Sequence, residues 1–147
     1  LQALHLYRQN FKPSKVLDRP YAIVGVPLIA APTDEEADYL ASSTYQRVLG
    51  ILTGKRGQLP PPVAGFLDHL DPQARAGIAD FLACAVVGSP ETVRAGLQQL
   101  ADATQADEFM LVSDVFDPVL RLRSLSLAVE AMADSVRTLT STGGAIS

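Results

Sequence analysis

Gly88-Ser89-Pro90 is the stretch of this chain best suited to chemistry. The apolar run Ala85-Val86-Val87 stops at Gly88, and a helical pattern begins at Pro90. A strand that turns into a helix in this way presents free backbone N–H groups and the positive end of a dipole, a natural place for a phosphate. The same residues also make a plain helix start. The Ser89 hydroxyl can accept from a first-turn N–H, Pro90 suits the first helical position, and Glu91 puts negative charge where the dipole favours it. Capping accounts for each residue, so Gly88 and Ser89 remain candidate ligand contacts only. Ala30 and Ala31 close another apolar run. Their small side chains would let a flat ring or a substrate approach the backbone, or would simply let a helix pack tightly on a strand.

Other reactive groups form no convincing set. Asp114 and Asp117 would suit acid–base work if one pKa were raised, but Asp117 precedes Pro118 and reads as an N-cap, and Asp114 reads as a loop acid. Arg121 and Arg123 sit early in a helix, where the dipole disfavours cations; they read as an anion contact or as partners in salt bridges. His5, His69 and Cys84 lack the spacing of converging metal ligands, and no G-x-S-x-G elbow is present. No catalytic residue and no metal ligand is assigned. Cys84, the one cysteine, rules out an internal disulfide and is expected to be buried and inert at the start of a strand.

These residues must be held by regular elements. Residues 1–11 read as a helix that Pro13 ends. Residues 21–31 read as a strand, apolar throughout, in which Pro27 cannot donate to a ladder and predicts a bulge or break. Thr33-Asp34-Glu35-Glu36 is a capping box, opening a helix over 34–53 with Ala37, Leu40, Ala41, Val48 and Leu52 inward and Gly54 as its stop. Residues 54–70, with three consecutive prolines, read as an excursion, either a surface loop or an active-site lid. Asp71-Pro72 starts a short helix to about Asp80. Then come a strand at 85–87, a helix, and a strand at 109–112 whose continuous apolar character suits a sheet covered on both faces. The last helix runs over 119–138, with Leu122, Leu125, Val129, Met132, Val136 and Leu139 forming its apolar face. Residues 140–147 read as a frayed tail.

Strands alternate with helices, which makes a parallel α/β sheet in a single domain over 1–147. The 147 residues, 48% hydrophobic and 19% charged, suffice for one core. A net charge of −4 and a pI near 5.0 argue against a nucleic-acid surface. No apolar run reaches the length of a membrane span and no signal peptide is visible, so the expected location is cytoplasmic. The first residue is Leu rather than Met, which points to a piece of a longer protein or to processing. Three parallel strands would leave two bare edges, and these predict further strands or a second copy.

With these residues placed, the sequence resembles the bacterial luciferase-like, flavin-dependent monooxygenases. The matching segments are LYRQNFKPS, PYAIVGVPLIAAPTDEEADYLASS, GQLPPP, VVGSPETV, ADEFMLVSDVFD and RLRSLSLAVE, in that order. The resemblance implies a partial (β/α)8 TIM barrel comprising its last three strands, the sixth to eighth, with their helices. It implies reduced FMN, or a deazaflavin, as cofactor, a small organic substrate oxidised with O2, and a reductase that supplies reduced flavin; a homo-oligomer is expected from the bare sheet edges. It also implies that the half carrying most of the flavin-phosphate site and the catalytic side chains lies outside this segment, leaving the fragment inactive alone. The alternative is a non-catalytic truncated barrel module that works by homo-oligomerisation.

Overall fold

The structure, a computed structural model, describes residues 2–142, and side-chain surroundings as far as Ala133. Helix α1 (Gln2–Asn10) comes first, then strand β1 (Ile23–Ala30), α2 (Asp34–Leu52), α3 (Pro72–Phe81), β2 (Val86–Gly88), α4 (Pro90–Thr104), β3 (Glu108–Val112) and α5 (Pro118–Thr142). The expected helix starts are real caps. Thr33 Oγ1 accepts from Glu36 N at 3.2 Å, Asp71 Oδ1 from Ala74 N at 2.8 Å, Ser89 Oγ from Thr92 N at 3.4 Å, and Asp117 Oδ1 from Val119 N at 2.8 Å.

The three strands are parallel, in the order β2-β1-β3. This departs from the consecutive order that the last three strands of a barrel would have. β1 is central, and its two halves take different partners: Ile23–Pro27 pair with Glu108–Val112, whereas Leu28–Ala30 pair with Val86–Gly88. A barrel strand in β1's place would have a preceding neighbour on one edge; here β3 covers that edge. The crossover helices then lie on opposite faces of the sheet. α4 and α5 pack with Val26, Leu28, Ala30 and Val86, while α2 packs with Ile29, Ala31 and Val87. Adjacent residues of β1 thus feed two cores, as strand alternation requires.

Pro27 explains the change of partner. Ala31 N donates to Gly88 O at 3.2 Å, so by alternation the amides of Ile29, Pro27 and Gly25 also face the β2 side. Pro27 has none, and β2 pairing ends just before it. The expected break therefore falls in the partner strand, and β1 itself runs on unbroken. Residues 82–85 form a turn after α3, so β2 starts at Val86 instead of at Ala85, and Cys84 is exposed, contrary to the expectation of burial.

α5 also corrects the sequence reading. Among the described residues its buried side chains are Ser124, Ala128 and Ala131, whereas Leu122 is 69% exposed and Val129 63%; Val136 and Leu139, also expected inward, lie outside the described side chains. The helix lies so close to the sheet that Ser124 Oγ accepts from Ala30 N at 2.8 Å. Small side chains at these positions permit the approach, and Leu127 packs against the same core beside them. Leu52, expected inward on α2, is likewise exposed. Residues 54–70 are tethered rather than loose: Gln46 Nε2 donates to Pro61 O at 3.0 Å, Val63 N donates to Ser42 Oγ at 2.7 Å, and Phe66–His69 form a 3-10 turn. The helical backbone extends over 140–142, and the rest of the expected frayed tail lies outside the described residues. No helix among the described residues is long and apolar enough to cross a membrane.

Candidate functional site at the carboxyl ends of the strands

β1 and β2 end side by side at Ala30 and Gly88, β3 ends at Val112 opposite Pro27, and the loops beyond them carry the polar residues. This is where α/β sheets bind ligands. Gly88 and Ser89 lie at the end of β2, Ala30 and Ala31 at the end of β1, and Asp114 beyond β3.

The α4 N-terminus already holds an anion. Ser89 N donates to Asp34 Oδ1 at 2.6 Å. Asp34 is the first residue of α2, and the carboxylate comes from the neighbouring strand's loop. Hydrogen bonds from the Ser89 amide, then from the Thr92 and Ser89 hydroxyls, hold its pKa below the ordinary aspartate value. Gly88 makes this approach possible: a Cβ there would stand 2.5 Å from Thr92 Cγ2 and 2.7 Å from Asp34 Oδ1. The space a phosphate would use is filled by the chain's own carboxylate. Ala30 and Ala31 are each 1% exposed, one in each core, and leave no opening for a flavin ring. The four candidate positions therefore do not fit a flavin in this structure.

Asp114 is no solvated loop acid. Its carboxylate pairs with the Arg47 guanidinium of α2, and its backbone carbonyl accepts from Thr44 Oγ1 at 3.2 Å. Arg121 donates twice to the Val115 carbonyl, at 3.0 and 2.7 Å, and Arg123 lies 3.6 Å from Glu36. These arginines thus tie the end of the sheet together. Tyr45 donates to Asp38 Oδ1 at 3.0 Å; its burial and, secondarily, the Asp38 charge raise its pKa. Among the described residues no group of three or more His, Cys, Asp or Glu is placed to hold a metal.

No protein-family model matches the chain. Among curated proteins it is 41% identical, over 88% of its length, to a protein of Escherichia coli K12 named luciferase-like monooxygenase, of which it covers 38%. These likenesses support the luciferase-like family. The chain is also 44% identical, over 87% of its length, to the uncharacterised YvbT of Bacillus subtilis 168, again covering 38% of that protein. It matches the crystal structure of apo-MsnO8 with a TM-score of 0.69 at 31% identity, over 90% of this chain and 41% of that one. The chain thus spans well under half the length of the relatives it matches.

Sequence reasoning missed Asp34 as the α4 anion, Arg47 as the partner of Asp114, and Ser124 as the acceptor for Ala30. The signal for Asp34 was its position just past the end of β1, one strand from Ser89. Two outcomes follow. Asp34→Asn should flatten the acid limb of a stability–pH curve. With the folded pKa depressed, the Asp34 contribution is full above the unfolded value and is lost as pH falls through the folded one; denaturant melts of both chains across the acid range measure this. Ser124→Ala should cost about 1–3 kcal/mol in a urea melt, because it leaves the buried Ala30 N–H without an acceptor.

Proposed function

We propose that this chain is the C-terminal part of a flavin-dependent, luciferase-like monooxygenase that oxidises a small organic substrate with O2. The observation that carries the proposal is the 41% identity to a luciferase-like monooxygenase that extends far beyond the match. FMN or a deazaflavin, with a reductase to supply it reduced, would be held mainly by the remainder of that protein. The local geometry agrees: Asp34 fills the α4 N-terminus, and Ala30 and Ala31 are packed shut. This segment would act there as scaffold, its arginine ties fixing the ends of the strands. In a barrel the three strands would be consecutive, which requires β3 to leave the edge of β1 it covers here. A protein extended upstream of Leu1 should bind reduced FMN or reduced deazaflavin and consume O2, whereas the 147-residue chain should do neither. Failure of the extended protein to do either with both cofactors would sink the proposal.

The outer face of α5 favours a second reading, a module that works by association. Val119, Leu122, Val129 and Met132 are 72%, 69%, 63% and 42% exposed, and Ser126 and Ala133 lie among them with no charge. A solvent-facing helix surface normally carries charge. A second copy covering this face would give a homodimer in light scattering. Replacing Leu122 and Val129 with Ser would return it to a monomer.

A further inference from the structure

We propose that Leu82-Ala83-Cys84-Ala85 is a strap, held off β1 by Pro27 and poised to extend β2. The register fixes where it would run. Leu28 pairs with Val86, so continuing the ladder sets Ala85 beside Pro27, Cys84 beside Val26, Ala83 beside Gly25 and Leu82 beside Val24. The space is open: a groove of about 930 Å³ lies between the first half of β1, residues 83–87 and α4, lined among others by Val24, Gly25, Cys84, Gly96 and Leu100. The strap is apolar throughout, as a buried strand requires. Closure would make two new rungs, Cys84 N to Gly25 O and Gly25 N to Leu82 O. The second replaces the present bond from Ala85 N to Leu82 O, at 2.8 Å. The missing rung is the one Pro27 cannot supply to the Cys84 carbonyl. That single absence holds the strap open.

Closure moves one reporter group. Cys84 is exposed now, but as a strand residue two before Val86 it would share that residue's face, toward α4. Closing therefore buries the thiol and fills the groove, and anything seated in the groove would hold the strap open.

The test is thiol labelling of Cys84 in the 147-residue chain and in Pro27→Ala. The parent chain should label at the rate of an exposed thiol. Pro27→Ala should label about tenfold more slowly or less, since reaction then waits on local opening, and the Gly25 amide should exchange hydrogen more slowly. Val26→Cys in the Pro27 background gives a second readout. Its partner in the closed register is Cys84, at a spacing a disulfide spans (Cα separation about 4.4–6.8 Å), and mild oxidation should trap the closed strap as an intramolecular disulfide. A folded Pro27→Ala chain with unchanged Cys84 labelling and unchanged Gly25 exchange overturns the proposal. So does a folded Val26→Cys chain that gives no intramolecular disulfide.

Discussion

Gly88→Ala is expected to destabilise the chain by about 1–3 kcal/mol, the range for forcing a methyl into a packed site. The new Cβ would stand 2.6 Å from Thr92 Cβ and 2.7 Å from Asp34 Oδ1. The Thr92 atom sits on the first turn of α4, and a Cβ cannot rotate away. The relief available is for the β2–α4 turn to shift or for Asp34 to withdraw from Ser89 N, so the substitution should also remove the low pKa of Asp34. Urea melts at neutral and acid pH measure both effects: the variant should be less stable at neutral pH and lose less on acidification. Gly25→Ala is the control, since a Cβ there meets nothing within 4 Å; it should stay within about 0.5 kcal/mol of the parent. Equal stability of Gly88→Ala and the parent would mean that Asp34 is not locked against α4.

Leu28→Ala should cost about 2–5 kcal/mol, a large share of the ~5–15 kcal/mol typical of a whole domain. Leu28 is fully buried, in the core that β1 shares with β2, α4 and α5. It is also the first residue of β1 paired with β2 after the handover at Pro27. Truncation leaves a cavity where four elements meet, and the two strands cannot close on it without breaking their ladder. A drop in the urea midpoint with an unchanged slope is the expected readout. A loss below 1 kcal/mol would show that this core rearranges freely.

Much of the fold was legible in the sequence. Thr33, Asp71, Ser89 and Asp117 cap helices where their spacing predicted, and Gly54, in the left-handed region at φ 75°, follows the end of α2. The candidate site was legible only as a place. Gly88 and Ser89 do sit at the end of a strand, but the occupant of the helix N-terminus comes from residue 34, through space. Cys84 was expected in a strand because its neighbours are apolar; the missing amide that stops the strand belongs to Pro27, on another element.

The sequence by itself determined the elements, their ends and the alternation of strand and helix. Capping, proline and glycine effects act within a few residues of their cause, so one stretch of chain carries them. Only the tertiary structure decided the order β2-β1-β3, the face α5 presents and the partner of each charge. Strand order depends on which edges are free. α5 turns its small residues inward because the sheet comes close enough to bond Ser124, and no spacing within the helix records that distance. Asp34, Arg47 and Arg121 take their roles from groups brought near by the fold. For a chain that spans 38% of the relatives it matches, those surroundings set what each residue does.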